Sequence, residues 1–356
     1  MSWNRRFIFL AVVFTLLVVI SVAYISSDYY LSQMSPRVNI PNRVFSRCCH
    51  GPTDQLDLCG RPDCIWPCPI SIDNQQLNIT TGDKAFVIET SGATSLDFRQ
   101  ACSVESLAYR NPNLTVYLLM TDDYVESASM SALTQNYPNL HVKAIDLTHF
   151  MMGTPLESWY LCTEWNRGWY AVAHLSDALR LLTVSKYGGY YFDLDVIHLR
   201  PVSAYRNFAV AEDDYLVANG IIHADYQHPV IQTALEQFSI EYRWYIWAHN
   251  GPALLTRILR KLCNIYDIRL MAPSRCHGFQ VLPTSSFFPI DVHSPKKYFR
   301  NQLAKDEFQW DESVVAAHVY NKLTAHMTIY KNSNQLYVQL ARSSCPRVFD
   351  AAPNQF

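Results

Sequence analysis

Residues 174–199 read HLSDALRLLTVSKYGGYYFDLDVIHL, and this stretch carries the strongest signal of fold class in the chain. In its first half, His174 to Lys186, apolar residues recur at the spacing of one helix face. Tyr187-Gly188-Gly189 follows, and glycine readily adopts the left-handed backbone conformation at which helices often end. Tyr190 to Leu199 is an apolar run of strand length. The stretch therefore predicts a helix that leads directly into a buried strand.

Similar signals occur on both sides of this stretch. The predicted strands are Ala85–Thr90, Leu114–Met120 and His141–Ile145, and the predicted helices are Phe98–Tyr109, Pro229–Tyr242 and Pro252–Leu262. Strands that alternate with helices imply a parallel sheet with right-handed crossovers, and hence an α/β fold. The residues from about Ala351 onward are expected to form a frayed tail.

Composition excludes two classes of protein. The 356 residues include 29 Lys and Arg against 31 Asp and Glu, which gives a net charge of −2. A general nucleic-acid binder needs a basic face, so this balance argues against one. Hydrophobic residues make up 49% of the chain and charged residues 17%, a composition that also argues against extended disorder.

The N-terminus predicts a membrane anchor. Phe7 to Ile25 contains no charge, and its nineteen residues would span about 28 Å as a helix, close to the thickness of a bilayer core. Arg5 and Arg6 precede it, so residues 1–6 are expected in the cytosol and the body in the lumen. The alternative is a signal peptide cleaved near Ser21-Val22-Ala23. A Cys-rich stem (26–80) and a catalytic domain (81–350) are expected to follow.

Sequons and cysteines agree with a lumenal body. Asn78 and Asn113 each begin an N-glycosylation sequon. The ten cysteines divide into a cluster of five between Cys48 and Cys68 and five others. In an oxidising compartment they predict disulfides, whereas in the cytosol the cluster would indicate zinc. Because each group is odd, either one pair crosses between the groups or two thiols stay free. Cys263 and Cys276 are predicted to pair.

Asp193-Leu194-Asp195 is the main chemical motif. If the triplet continues the strand, both carboxylates lie on one face and Leu194 lies on the other. Two adjacent carboxylates repel each other unless a cation lies between them, and oxygen ligands favour Mg²⁺, Mn²⁺ or Ca²⁺. A second acidic group, Glu212-Asp213-Asp214, is interpreted as a solvated turn.

Several segments resemble the α1,4-glycosyltransferase family. Two of them flank the predicted turn, LSDALR at 175–180 and KYGGYYFDLD at 186–195. Others are ETS at 89–91, CSVES at 102–106, NG at 219–220, WAHNGPALLTR at 247–257, FPI at 288–290, KYF at 297–299 and HVYNK at 318–322. The resemblance extends over residues 84 to 346.

The resemblance implies a role for several residues at the donor site. Asp193 and Asp195 would bind the metal, with Asp193 also contacting the ribose, and together with Asp177 and Arg180 they would form the catalytic set. Asp177 and Arg180 would face the donor sugar and its phosphate, although spacing alone favours a surface ion pair. Further donor contacts are expected from Thr90, Ser91 and Tyr191. His318 would be a metal or diphosphate ligand, and a buried core histidine is the alternative.

The acceptor side is implied to include Asn219, His249, Asn250 and Gly251. Asn250 stands where the family usually has Gln, and Tyr320 stands where it usually has Trp. Glycine at 251 is expected to let the backbone approach the acceptor sugar closely. Trp244 and Trp247 are interpreted either as a stacking surface or as core residues.

The resemblance thus implies a single GT-A-like α/β domain with a mainly parallel sheet behind one transmembrane helix. The implied protein is a retaining α1,4-glycosyltransferase of glycosphingolipid biosynthesis, a type II membrane protein of the Golgi. It would use Mn²⁺ or Mg²⁺ and move galactose or N-acetylgalactosamine from a UDP-sugar to a glycolipid or other glycan acceptor. The alternatives are a lumenal sugar- or nucleotide-binding protein without activity, and a metal-dependent phosphohydrolase.

Overall fold

The computed structural model describes residues 77, 79–163, 165–301 and 310–356. The expected anchor (7–25), nearly all of the expected stem and Asn78 lie outside these residues. In the described part of the chain, no helix has the length and apolar character needed to cross a membrane. Asn113 is exposed in a turn, so its side chain is accessible for glycosylation.

The strands of the described residues form one large sheet and one small one. Their bounds are β1 Lys84–Glu89, β2 Thr115–Met120, β3 Leu140–Ala144, β4 Gly189–Phe192, β5 Val196–His198, β6 Phe208–Ala211, β7 Val217–Ala224, β8 Gln280–Leu282 and β9 Ala316–His318. The large sheet has the order β3-β2-β1-β4-β7-β6-β8, and β5 pairs with β9. Only β7 runs antiparallel to its neighbours in the large sheet, so the prediction of a mainly parallel α/β sheet is confirmed.

Helices connect the strands and cover the sheet. Their bounds are α1 Phe98–Arg110, α2 Ala128–Thr134, α3 Leu147–Met151, α4 Glu157–Cys162, α5 Ala171–Tyr187, α6 Pro229–Glu241, α7 Pro252–Cys263, α8 Asn321–Thr324, α9 Leu336–Ser344 and α10 Pro346–Ala351. Short 3₁₀ helices lie at Trp165–Arg167, Ile268–Leu270, Thr284–Ser286 and Pro295–Phe299. The predicted helices are found within about three residues of their expected ends, a margin typical of helix boundaries.

The sheet separates two layers of apolar core. Along β1, Ala85 and Val87 point into one layer, whereas Phe86 and Ile88 point into the other. Because successive strand residues face opposite sides, a strand buried on both faces reads as a continuous apolar run. This explains why β1 and β2 were visible in the sequence without an alternating pattern.

The predicted strand Tyr190–Leu199 is wrong in one respect, because it is two strands. β4 ends at Phe192, and β5 begins at Val196 in the other sheet. The residues of β4 and of β5 are all largely buried, so the character of the two strands does not show where one ends and the other begins. The three residues between them are the acidic triplet, which therefore lies in a turn.

Disulfides join distant parts of the described chain. Cys263 pairs with Cys276, which confirms the predicted bond. Cys102 on α1 pairs with Cys345, 243 residues later, and Cys162 is also disulfide-bonded. Every cysteine of the described residues is therefore oxidised, as expected for an oxidising compartment.

The frayed tail predicted from Ala351 is wrong. Ile329 N donates to Phe356 O at 2.8 Å, and Phe356 N donates back to Ile329 O at 3.1 Å. The Phe356 ring also packs against the core next to Phe98 and Phe349. A terminal segment tied down by backbone pairing and apolar contact does not fray.

Candidate active site

The carboxylates of Asp193 and Asp195 lie in the tight turn between β4 and β5. Backbone hydrogen bonds hold both ends of it, from Asp193 N to Gly220 O at 2.8 Å and from Val319 N to Asp195 O at 2.9 Å. The premise that the two residues share a strand face is therefore wrong. The turn nevertheless brings both carboxylates to one place.

His318 joins this pair from the far end of the chain. In the β5–β9 pairing it is opposite Val196, the residue after Asp195. Its Nε2 lies 3.2 Å from Asp195 Oδ1. One ligand atom each from Asp193, Asp195 and His318 all lie within 4.8 Å of one another. The structure thus brings together the three residues that were predicted as metal ligands.

We call Asp193, Asp195 and His318 the metal cluster, because their side chains suit a divalent cation. Two carboxylates and one imidazole suit Mn²⁺, since nitrogen ligands are unusual for Mg²⁺ or Ca²⁺. Asn321 N donates to Asp195 Oδ2 at 2.9 Å and so orients that carboxylate. Asn321 Oδ1 is buried without a hydrogen-bond partner among the described residues. A buried acceptor of this kind is normally satisfied by an ion or an ordered water.

Two side chains hold Asp193 in place. The Tyr191 hydroxyl donates to Asp193 Oδ1 at 2.7 Å, and Arg180 Nη2 lies 3.2 Å from the same oxygen. Burial raises the pKa of Asp193, and the positive charge of Arg180 opposes that rise. Tyr191 is itself fully buried, so it positions Asp193. The expectation that its ring packs beside the donor sugar is wrong for this reason.

Arg180 is a buried cation on α5 between two carboxylates. Its Nη2 lies 3.6 Å from Asp177 Oδ1 as well as 3.2 Å from Asp193 Oδ1. The Ser176 carbonyl accepts from Nε at 3.1 Å, and the Ser176 hydroxyl accepts from Nη2 at 2.7 Å. Burial would lower the pKa of Arg180, but the charges of Asp193, Tyr191 and Asp177 outweigh it and raise the pKa. The ion pair is thus part of a buried network, not of a helix surface.

Asp177 extends this network to the predicted acceptor side. Asn219 Nδ2 donates to Asp177 Oδ1 at 2.7 Å, and both side chains are buried. Burial raises the pKa of Asp177 to about 6, against the opposing charge of Arg180. A Cβ on Gly251 would lie 2.6 Å from Asp177 Oδ1 and from Asn219 Nδ2. Glycine is therefore required at position 251 because any side chain there would overlap Asp177 and Asn219, and its expected role toward an acceptor sugar stays a prediction.

Thr90 and Ser91 follow β1 at the same sheet edge as Asp193, because β1 and β4 are parallel. Glu89 shapes this loop, since its carboxylate accepts hydrogen bonds from Ser91 N at 2.9 Å and from Ala93 N at 3.0 Å. The carboxyl edge of an open α/β sheet is where ligands bind. The two residues predicted for the uridine site therefore lie at the expected edge.

Asn250 and His249 stabilise the loop that precedes α7. Asn250 Oδ1 accepts from Arg243 N at 2.9 Å, and its Nδ2 donates to Arg243 O at 2.9 Å. His249 Nε2 bonds to Glu241 O at 3.1 Å. Asn250 is buried, with both polar groups engaged in the loop. Its predicted role as a direct acceptor contact is therefore corrected to that of a loop clamp.

Glu212 departs from the interpretation of residues 212–214 as a solvated turn. Asp213 and Asp214 are exposed as expected, but Glu212 is half-buried. Burial raises the pKa of Glu212, and interaction with His318 opposes that rise. Glu212 is thus an electrostatic neighbour of the metal cluster.

The sequence did not indicate the roles of Glu89, Glu212 and Asn321. β4 and β6 are both antiparallel to β7 and therefore run in the same direction. Glu212 follows β6, so it lies at the edge of the sheet at which Asp193 follows β4. An acid directly after an apolar run was therefore a usable signal. Asn321 acts through its backbone, and no residue type reveals such a contact.

Two segments of the chain match the models of known protein families. Residues 223–352 match a model described as "Alpha 1,4-glycosyltransferase conserved region". Residues 97–216 match one described as "Glycosyltransferase sugar-binding region containing DXD motif". The second match includes the acidic turn, and the first includes His318.

Similarity over about four fifths of the chain extends to relatives with two different named activities. Lactosylceramide 4-alpha-galactosyltransferase of Rattus norvegicus is 30% identical over 290 residues, which cover 79% of this chain and 78% of the relative. The Homo sapiens protein of that name is 31% identical over 292 residues, 80% and 82% of the two chains. Alpha-1,4-N-acetylglucosaminyltransferase of Homo sapiens is 29% identical over 303 residues, 81% and 87% of the two chains.

Proposed function

The chain belongs to the α1,4-glycosyltransferase family, and from this premise we propose that it is a retaining galactosyl- or N-acetylgalactosaminyltransferase that uses a UDP-sugar. Its mostly parallel α/β sheet agrees with the GT-A-like fold of such enzymes. The acceptor in this proposal is the glycan of a glycosphingolipid. The enzyme works in the Golgi, anchored by residues 7–25, with residues 81–350 as its lumenal catalytic domain.

The observation that carries the proposal is the convergence of Asp193, Asp195 and His318 at the carboxyl edge of the sheet. These three side chains hold the divalent cation, and Thr90 and Ser91 lie along the same edge for the uridine. When bound, the cation supplies positive charge that stabilises the leaving diphosphate. A protein that only binds a UDP-sugar could hold the same cation, so turnover of the donor with an acceptor separates the two functions.

The buried residues keep the cluster in a fixed geometry. Arg180 and the Tyr191 hydroxyl hold Asp193, and the Asn321 amide holds Asp195. Preorganised charges of this kind need no rearrangement during the reaction, which is why they lower barriers efficiently. Asp177 and Arg180 therefore act in this proposal as positioning residues beneath the donor.

The transfer itself exchanges one bond for another at the anomeric carbon. The bond from this carbon to the UDP phosphate oxygen breaks, and the bond to the acceptor oxygen forms on the same face. The acceptor proton passes to the departing phosphate, so that no protein nucleophile is required. This front-face route retains the α configuration.

The donor sugar is the least constrained part of the proposal. The relatives include both a galactosyl- and an N-acetylglucosaminyltransferase by name, so the family does not fix the substituent at C2. Galactose and N-acetylgalactosamine are the two donors we propose, and the acceptor position is a 4-hydroxyl.

A donor-and-acceptor panel tests this function. The full chain in detergent micelles with Mn²⁺ is offered UDP-galactose, UDP-N-acetylgalactosamine and UDP-N-acetylglucosamine, each with galactose-terminated glycolipids. We expect one of the first two donors to give a product whose NMR spectrum shows an α1,4 linkage. Hydrolysis that is independent of acceptor would indicate a phosphohydrolase, and UDP-sugar binding without turnover on any acceptor would indicate an inactive binding protein.

A further inference from the structure

A group of large apolar side chains is exposed beside the candidate site. Four are consecutive, with exposed fractions of 53% for Trp244, 54% for Tyr245, 37% for Ile246 and 45% for Trp247, and Trp169 is 60% exposed. We call these five residues the aromatic ridge. Exposed apolar clusters of this kind mark interaction surfaces in soluble domains.

The loop is held from below, so the exposure of the aromatic ridge is a built feature. Buried His174 bonds to the Tyr242 hydroxyl at 3.1 Å and to Ile246 O at 3.3 Å. Asn250 bonds to both backbone groups of Arg243 at 2.9 Å. These contacts fix the loop backbone at both ends and leave the four apolar side chains facing outward.

Trp169 belongs to the same surface as the loop. A Cβ on its neighbour Gly168 would lie 3.3 Å from Trp244 O, so the two chain segments are in contact. The Trp244 and Tyr245 rings pack edge to face, with centroids 5.5 Å apart. The aromatic ridge is therefore continuous.

Cationic side chains border the aromatic ridge. Lys322 Nζ lies 5.1 Å from the centre of the Trp247 ring, and Arg243 is exposed at the start of the loop. Trp and Tyr combined with Lys and Arg are typical of the head-group layer of a bilayer, where amphipathic rings and basic groups are both favourable.

The aromatic ridge also lies next to residues of the candidate site. Lys322 follows Asn321, whose amide bonds to Asp195, and the loop ends at Gly251 against Asp177. A surface resting on the aromatic ridge is thus adjacent to the donor edge of the sheet.

We propose that the aromatic ridge inserts into the head-group layer of the membrane and so brings the site to a lipid-linked acceptor. This inference rests on the proposed function for its acceptor. A bilayer fits better than an acceptor sugar, because a sugar stacks on one or two rings, whereas this surface has five apolar residues with an aliphatic one among them. The anchor proposed at the uncharged run Phe7–Ile25 would also hold the domain near a membrane.

The test compares one glycan in two contexts. The full chain is reconstituted into nanodiscs and assayed with a glycolipid in the same bilayer and with a water-soluble acceptor bearing the same glycan. For Tyr245→Ser with Ile246→Ser, we expect transfer to the glycolipid to fall about fivefold or more, while transfer to the soluble acceptor is retained. The matched control is Tyr226→Ser with Leu270→Ser, which removes an exposed tyrosine and an exposed aliphatic residue that do not belong to the aromatic ridge and is expected to leave both rates unchanged.

Two outcomes would overturn the proposal: equal loss with both acceptors, which would indicate a sugar subsite, and no loss with either. If the parent protein transfers no sugar at all, the proposed function fails, and the aromatic ridge is tested by fluorescence. In that test, brominated lipids in the nanodisc must quench the tryptophan fluorescence of the parent more strongly than that of the Trp244→Phe variant. Equal quenching of the two would reject membrane contact.

Discussion

Asp193 lies directly against Gly220, across the boundary between the acidic turn and β7. Asp193 N donates to Gly220 O at 2.8 Å, and a Cβ on Gly220 would lie well under 3.0 Å from the Asp193 carboxylate. The carboxylate therefore occupies the space that any side chain at position 220 would need.

Gly220→Ala is expected to displace Asp193 and weaken the metal site. Because the added methyl overlaps a metal-ligand carboxylate, we expect sugar transfer to fall about tenfold or more, an increase of ~1.4 kcal/mol in the barrier. The Mn²⁺ concentration for half-maximal transfer should rise as well. Gly82→Ala is the matched control, since nothing lies within 4 Å of its added Cβ. Unchanged Mn²⁺ dependence in Gly220→Ala would contradict the placement of the metal.

Asp195→Asn removes a charge from the metal cluster and keeps the size of the side chain. If the cation stabilises the leaving diphosphate, the barrier should rise by roughly 3 kcal/mol, so transfer at saturating Mn²⁺ should fall about a hundredfold. The melting temperature should change little, because repulsion between the two carboxylates is also relieved.

Asp213→Asn is the appropriate control for this change. Asp213 is an exposed acid, and its substitution should leave transfer near the parent rate. Glu212 is unsuitable as a control because it interacts with His318. Near-normal transfer by Asp195→Asn would mean that another group binds the metal.

The elevated pKa of Asp177 predicts a specific pH dependence of stability. The folded pKa of about 6 exceeds the ordinary 3.8, so the folded state binds more protons than the unfolded state between these values. Protonated Asp177 therefore contributes its full share to the stability of the fold below about pH 4. This contribution, about 3 kcal/mol in all, is lost as the pH rises through 6. The Asp177→Asn variant lacks this titration. The difference in melting temperature between the variant and the parent should therefore shift in favour of the variant as the pH rises from 4 to 7. A constant difference across this range in metal-free protein would refute the shift.

The Cys102–Cys345 and Cys263–Cys276 disulfides are expected to differ in their contribution to stability. In the loop-entropy model, the 243-residue separation of Cys102 and Cys345 contributes about 5 kcal/mol, and the 13-residue separation of Cys263 and Cys276 about 3 kcal/mol. Paired Cys→Ala variants measured by denaturant unfolding should show the larger loss for Cys102 and Cys345. The reverse order would show that strain or residual structure outweighs loop entropy here.

Asn113 is expected to be glycosylated in eukaryotic cells. It is exposed in a turn, and its sequon is intact. Removal of N-glycans should increase gel mobility, and Asn113→Gln should remove one step of that shift. Asn78→Gln tests the other sequon in the same way. Protein whose mobility does not respond to the glycosidase would argue against a lumenal body.

Local pattern was enough to predict β1, β2 and β3 and, as a single strand, β4 with β5, but it did not predict β6 to β9. β1 and β2 are short runs buried on both faces, and α1 begins where Asp97 caps it through Arg99 N and Gln100 N. Such features depend on neighbouring residues alone. The turn at Asp193 was missed because Asp193 and Asp195 alternate with Leu194 as they would on a continuing strand, and the strands on both sides are buried.

The candidate site was only partly predictable, because its geometry depends on long-range contacts. Asp193 and Asp195 were predicted from the acidic motif itself, whereas His318 was found only through the family resemblance. Asn250 is held by Arg243 of its own loop, but the buried position of Gly251 depends on Asn219 and Asp177, which lie on β7 and α5. No local pattern reports which side chains a glycine will meet.

The pairing of β5 with β9 has a consequence for biosynthesis. The acidic turn is synthesised long before His318, and the bond from Cys102 to Cys345 likewise waits for the last part of the chain. Contacts between such distant segments form late and slow the folding of large domains. A cation bound by Asp193, Asp195 and His318 therefore cannot serve as an early nucleus for the emerging chain. If that cation is Mn²⁺, manganese starvation of the producing cell is expected to lower sugar transfer without lowering the yield of folded protein.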